Sequence, residues 1–135
     1  MLSADELKLK INRIWGVAPG AMLSLRIIDF LTSVPSEQLS MLTFGNLCRV
    51  VGKPEPDKDL LTAINILVSS KVQVLETHML FIDDNKDEHE IDLKDLQETR
   101  RSGVFIHPRT GEMINNFEAH FVPFFVPSQS LREGN

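Results

Sequence analysis

Apolar residues recur at helical spacing through the first half of the chain. Ser3 and Glu6 have the types and the spacing of a capping box, and Leu7, Ile11 and Ile14 follow at intervals of three or four residues. We therefore expect a first helix over residues 3–15. The same period predicts four further helices, at residues 21–32, 44–51, 58–69 and 92–102.

The period changes from helical to strand-like at Val72. Residues 72–75 and 79–82 are rich in strand formers, the polar run 83–88 predicts a loop, and residues 89–91 can pair back across it. Further strands are predicted at 41–42, 104–106, 112–114 and 117–126, and Pro123 and Pro127 limit pairing in the last of them. These segments predict a small antiparallel sheet.

The order of elements over roughly residues 40–91 is helix, turn, helix, strand, polar loop and strand. Within the stretch Leu60–Leu75, the phrase ILVSSKVQVL resembles the end of a recognition helix that runs into the wing hairpin of the winged-helix superfamily. The resemblance implies an α+β fold with a helical N-terminal half, a winged-helix-like core and a small antiparallel sheet. A C-terminal helix and hairpin extend this core.

Composition fits one globular domain, which we expect over residues 1–127, with residues 128–135 as a flexible tail. The single cysteine, Cys48, excludes an internal disulfide and points to a reducing compartment. Residues 1–10 are polar and helix-like rather than a leader, and Ser24, Arg26 and Asp29 interrupt the longest apolar stretch. A cytoplasmic protein without a membrane span is therefore predicted.

Charge bears on the DNA binding that a winged helix usually suggests. The chain has a net charge of −5, and residues 54–90 hold three Lys/Arg against nine Asp/Glu. Asp57 and Asp59 stand at the leading end of the predicted recognition helix, where carboxylates oppose phosphate contact. A DNA-binding transcriptional regulator therefore remains the alternative function. Its candidate residues are Lys8, Lys10, Arg13, Arg49, Lys53, Asn65 and Lys71.

Two patterns are compatible with metal ions, and neither is complete. Asp83, Asn85 and Asp87 are spaced as the first ligands of a calcium-binding loop, but Glu88 replaces the required glycine and Lys94 the required bidentate glutamate. The four histidines form no helical pair, and only His107 and His120 are expected on neighbouring strands. We predict a charged surface turn, no metal and no cofactor.

Catalytic motifs are missing from the sequence. Cys48 lies among apolar residues of a predicted helix, and there is no Gly-x-Ser-x-Gly elbow or glycine-rich phosphate loop. The chain is therefore predicted not to be an enzyme and to have no catalytic residues. An enzyme would instead require a deep pocket of converging polar groups near the turn at His107–Gly111.

The predicted function is a non-catalytic protein–protein interaction module, acting as a homodimer or as a small accessory subunit of a larger assembly. Its partner is a protein or a second copy. The segment FEAHFVPFFVP at 117–127 concentrates phenylalanines, which either form a contact surface or close the sheet over the core. The candidate interface residues are Arg100, Arg101, Arg109, Phe117, Phe121, Phe124 and Phe125.

Overall fold

A computed structural model describes residues 3–128 as an α+β fold. The five predicted helices are confirmed to within two residues at each end. The helices are α1 (Ala4–Trp15), α2 (Pro19–Ser33), α3 (Phe44–Val51), α4 (Lys58–Val68) and α5 (Leu93–Ser102), and the strands are β1 (Leu75–Ile82), β2 (Glu88–Ile91) and β3 (Phe121–Pro127). No helix among these residues is both long and apolar enough to cross a bilayer.

Local sequence signals explain where the helices begin. The capping box expected at Ser3 is present, because the hydroxyl of Ser3 accepts from the backbone N–H of Glu6 and the carboxylate of Glu6 accepts from that of Ser3. Thr43 and Asn46 form the same reciprocal pair before α3. Asp57 caps α4 through the backbone N–H of Leu60. These contacts satisfy backbone donors that have no partner within the helices.

The chain forms two compact units. Among the described residues, the first comprises residues 3–77 and 125–128, and the second is His78–Phe124. In the first unit α2 is central and packs against α1, α3 and α4. At Gly20 of α2 an added Cβ atom would lie 2.6 Å from Cγ2 of Thr62 in α4.

The second unit has its own apolar core. Buried residues of β1, β2 and α5 meet Phe105 there, and Ile114, Phe117 and Phe121 pack against them. The hairpin expected around residues 107–111 is present as an isolated bridge between Ile106 and Met113. A 3₁₀ turn occupies the first four residues of the segment that was predicted as a strand from 117.

The sheet contains three strands in the order β2-β1-β3. The predicted pairing of β1 with β2 is confirmed, with Met79 opposite Ile91 and Ile82 opposite Glu88. The short strand predicted at 41–42 is a single antiparallel bridge, in which Leu42 and Phe125 exchange both backbone hydrogen bonds.

The chain end differs from the prediction at Ser128. Ser128 is buried, and its backbone N–H donates to the carbonyl of Val74 across 2.8 Å. The tail was predicted to begin at this residue, which is instead fixed to the first unit. The rest of the predicted tail, residues 129–135, lies outside the described residues.

Candidate functional site

The phenylalanines of residues 117–127 were expected either to form a contact surface or to close the sheet over the core. The structure decides between these alternatives at Phe124 and Phe125. Phe124 and Phe125 are each only 3% exposed, so they belong to the interior of their units. The ring of Phe125 contacts that of Phe44 edge-on, with centroids 5.2 Å apart. The ring of Phe124 stacks on His78. These two phenylalanines close the core and do not form an exposed contact surface.

Phe117 and Phe121 are half-buried and join the aromatic core of the second unit. The ring of Phe121 lies 5.2 Å from that of Phe105, and the ring of Phe117 lies 5.6 Å from that of Phe121. Phe81 meets the same group from β1. Phe117 and Phe121 therefore belong to a packed aromatic cluster, which favours the alternative in which the segment covers the core.

The three interface arginines all form ion pairs within the second unit. Arg100 binds Glu118 through two hydrogen bonds, Arg101 binds Glu98, and Arg109 binds Asp87. Each guanidinium is exposed, so these pairs contribute little to stability. Each pair neutralises an arginine, so these three residues offer less positive charge to a partner.

The most highly connected polar group of the second unit is the carboxylate of Asp83. Its Oδ1 atom accepts from the backbone N–H groups of Asn85 and Asp87, each at 2.9 Å. Its Oδ2 atom lies 3.0 Å from Nε2 of His89 and 3.0 Å from Nε2 of His107. Hydrogen bonds from His89 and His107, and then from the backbone, hold the pKa of Asp83 well below its usual range. We call Asp83, His89 and His107 the Asp83 cluster.

Hydrogen bonding determines which nitrogen of His107 carries the proton. Its Nδ1 atom accepts from the backbone N–H of Arg109 at 3.0 Å and from that of Thr110 at 3.2 Å. Nδ1 therefore carries a lone pair, and the proton is on Nε2, from which it is donated to Asp83. His107 and Asp83 are both buried in this arrangement.

The three side chains of the Asp83 cluster also have the types and the proximity of metal ligands, with their ligand atoms within 4.8 Å of one another. A histidine that binds a metal through Nε2 donates its Nδ1–H to an acceptor. At His107 two backbone N–H groups already point at Nδ1. If Nε2 bound a metal, Nδ1 would carry the proton, and its N–H would face these two N–H donors. The contacts fit a hydrogen-bonded cluster better than a metal site.

His107 and His120 were expected on neighbouring strands. The structure pairs His107 with Asp83 and places His120 in the 3₁₀ turn before β3. His120 instead donates from Nδ1 to the carbonyl of Ile82 at 3.1 Å. From the sequence, Asp83 was considered as the first ligand of an incomplete calcium-binding loop. The signal available in the sequence was an aspartate at the start of a polar turn. Such an aspartate can accept from the backbone N–H groups two and four residues later.

A cavity does lie beside the turn at His107–Gly111, where an enzyme was expected to need one. It holds about 140 Å³ and is lined in part by Asp83, His107 and His120. Sites for small molecules usually hold about 300–1,000 Å³. The cavity therefore suits a few water molecules better than a substrate.

The candidate DNA-binding residues do not form one free cationic surface. Lys8 is paired with Asp29, and Lys53 with Asp57 at 2.7 Å. Hydrogen bonding to Asp57 raises the pKa of Lys53. The remaining candidates lie on α1, α3, α4 and the segment before β1. Lys10 is half-buried, and the exposed ones are Arg13, Arg49, Asn65 and Lys71.

A concavity of the first unit lies between α2, the residues that precede α3, and α3 itself. It holds about 700 Å³, and we call it the α2–α3 groove. Apolar side chains contribute part of its wall, with Leu42 buried and Met41 40% exposed. The groove is lined by Arg26, Asp29, Phe30, Gln38, Met41, Leu42, Asn46, Arg49 and Val50.

Sequence reasoning missed this groove because its residues come from three separate segments. Arg26 was noted only as an interruption of an apolar stretch, and Arg49 only as a DNA candidate. The groove brings both arginines beside apolar side chains. Comparisons of the chain with protein-family models, with curated proteins and with solved structures found no match.

Proposed function

We propose that this chain is a non-catalytic protein–protein interaction module that binds its partner in the α2–α3 groove. It acts as a homodimer or as a small accessory subunit of a larger assembly. The observation that carries the proposal is an open groove of about 700 Å³ that combines apolar side chains with two arginines. Concave apolar surfaces with a charged rim are typical of protein contact sites, where arginine is enriched.

The polar clusters of the second unit favour this proposal over an enzyme. Asp83 already accepts four hydrogen bonds, and Nδ1 of His107 accepts two. Neither group has free capacity to act on a substrate proton in this arrangement. The adjacent cavity of about 140 Å³ is small for a substrate.

A winged-helix scaffold remains part of the proposal, with α3 and α4 as its helix-turn-helix. The alternative function, DNA binding through α4, receives less support from the contacts. Asp57 and Asp59 stand at the leading end of α4, and Asp57 neutralises Lys53. The exposed face of α4 includes Leu61, which is 45% exposed, beside Asn65. A helix that reads DNA needs cations at this end.

A cytoplasmic location also belongs to the proposal. Cys48 is a free thiol and is buried in α3. A small buried thiol is compatible with a reducing compartment.

Site-specific photo-crosslinking in the native cell tests the proposed surface. A benzophenone amino acid is introduced at Met41, which lines the groove, and in a matched variant at Leu61, which has similar exposure on α4. We expect a discrete protein adduct from Met41 and none from Leu61. Mass spectrometry then distinguishes a second copy from a different chain.

The DNA alternative is tested on the same variants. Fluorescence anisotropy with a mixed-sequence duplex should show no binding that is lost at high salt. Salt-sensitive duplex binding, together with adducts from Leu61 but not from Met41, would replace the proposed function with that of a DNA-binding regulator.

A further inference from the structure

We infer that the α2–α3 groove takes an acidic peptide segment with apolar anchor residues, supplied by a protein other than this chain. This inference rests on the proposed function and adds the chemistry of the partner. It depends on three properties of the groove, namely its uncompensated charge, its surplus of hydrogen-bond donors and its apolar wall.

The ionic groups of the groove leave a net positive charge. Arg26, Asp29 and Arg49 are the charged residues of its lining. Asp29 forms an ion pair with Lys8, which lies outside the groove, so its charge is already balanced. The charges of Arg26 and Arg49 have no carboxylate partner among residues 3–128. A bound segment with carboxylates would supply the missing counter-charges.

The hydrogen-bonding groups of the groove are mostly donors. Arg26 uses Nη1 to donate to the carbonyl of Val51 at 3.3 Å, which leaves most of its guanidinium available. The side chains of Arg49 and Gln38 make no hydrogen bond within the described part of the chain. Asn46 accepts through Oδ1 from Thr43, so its amide N–H₂ is the group left for a ligand. Carboxylate oxygens accept from all of these donors.

The apolar part of the groove requires more than an anion. Phe30, Met41, Leu42 and Val50 line it, and they come from α2, the segment before α3, and α3. Apolar side chains of a ligand would cover this wall and contribute affinity through the area removed from water. An amphipathic segment with glutamate or aspartate beside leucine or phenylalanine meets both requirements.

The acidic loop of a second copy lacks these apolar anchors. Residues 84–88 are Asp, Asn, Lys, Asp and Glu. Asp87 in this loop is already paired with Arg109. The loop matches the charge of the groove but not its apolar wall, which favours a different protein as the partner.

Fluorescence polarisation with designed peptides tests the inference. The probe is a labelled amphipathic peptide of about 14 residues, with leucines at helical i, i+3 and i+4 positions and glutamates elsewhere. Matched peptides replace every glutamate with glutamine or with lysine. We expect the acidic peptide to bind about tenfold more tightly than the glutamine version, and the lysine version to bind least.

Protein variants locate the binding. Arg49→Glu should weaken the acidic peptide by about tenfold, whereas Arg13→Glu, the same charge change on an exposed part of α1, should alter it less than about twofold. The side chain of Arg49 forms no hydrogen bond or ion pair within the described residues, and Arg49→Gln provides a second, milder variant. Circular dichroism confirms that each variant is folded.

The outcomes separate the partner chemistry from the proposed function. Equal binding of the three peptides, no binding of the acidic peptide at millimolar concentration, or equal effects of Arg49→Glu and Arg13→Glu would overturn the inference. A Met41 crosslink that persists in any of these cases leaves the proposed function standing. Absence of a protein adduct from Met41 would contradict the proposed function itself.

Discussion

His107 donates its Nε2–H to Oδ2 of Asp83 across 3.0 Å, although 24 residues separate the two in sequence. Asp83 follows β1, and His107 begins the turn of the hairpin. His89 on β2 donates to the same oxygen. The carboxylate thus connects three segments of the second unit through charge-assisted hydrogen bonds, which are stronger than neutral ones.

Asp83→Asn should destabilise the protein. The amide can still accept from two backbone N–H groups, but its N–H₂ group then faces Nε2 of His89 and of His107. His107 cannot change tautomer to accept, because Nδ1 is occupied by two backbone donors. We expect a Tm lower by at least about 5 °C in differential scanning calorimetry. Asp84→Asn, in an exposed neighbour, is the control and should leave Tm within about 1 °C.

The same carboxylate predicts how stability depends on pH. The folded-state pKa of Asp83 lies below its ordinary value of 3.8, so its contribution is complete above that value and is lost as the pH falls through and below it. The Tm difference between wild type and Asp83→Asn should therefore shrink as the pH is lowered from 6 towards 3. Thermal melts over this range measure it. A difference that stays constant would contradict the ionised state of Asp83 in the fold.

The tautomer of His107 can be observed directly. Nitrogen-15 NMR should show an unprotonated Nδ1 and a protonated Nε2 at neutral pH. One equivalent of Zn²⁺ should leave these resonances in place, because ligation by Nε2 requires a proton on Nδ1, where two backbone donors point. Zinc-dependent shifts at both His89 and His107, together with a raised Tm, would instead establish a metal site.

The sequence predicted those features whose causes are local. The helix starts at Ser3 and Thr43 depend on residues three positions later, so capping pairs and apolar period were sufficient. The Asp83 cluster depends on β1, β2 and the hairpin turn meeting in space, and no pattern within one segment encodes that meeting.

The sheet shows the same distinction. The hairpin of β1 and β2 is local and was predicted, whereas the bridge of Leu42 to Phe125 spans most of the chain and was not. Two prolines in β3 suggested weak pairing, yet β3 lies beside β1. Whether Phe124 and Phe125 face a core or a partner depends on what packs against them, which composition alone does not determine.

Phe125→Ala tests the assignment of this phenylalanine to the core. Its ring is buried and packs edge-on against Phe44, so we expect a loss of about 3–5 kcal/mol in the free energy of unfolding. A double-mutant cycle with Phe44→Ala should give a coupling of about 1 kcal/mol. Leu9→Ala is the control, because Leu9 is 68% exposed, and it should change stability by less than about 0.5 kcal/mol. Urea unfolding of the wild type and the four variants measures these changes.

Two glycine substitutions should have opposite effects although both sites are helical. At Gly20 a Cβ atom would lie 2.6 Å from Cγ2 and 2.8 Å from Cβ of Thr62, which forces α2 away from α4. Gly20→Ala should therefore lower the free energy of unfolding by about 1–3 kcal/mol, as overpacking of a close contact does.

At Gly45 the nearest atom would be Oγ1 of Thr43 at 3.7 Å, an ordinary contact. Gly45→Ala should stabilise the exposed first turn of α3 by about 0.5–1 kcal/mol, because alanine loses less backbone entropy in a helix. Urea unfolding of the two variants decides the matter. If both variants were stabilised, the close packing of α2 on α4 would be incorrect, and with it the position of the helix that contributes Arg26 to the groove.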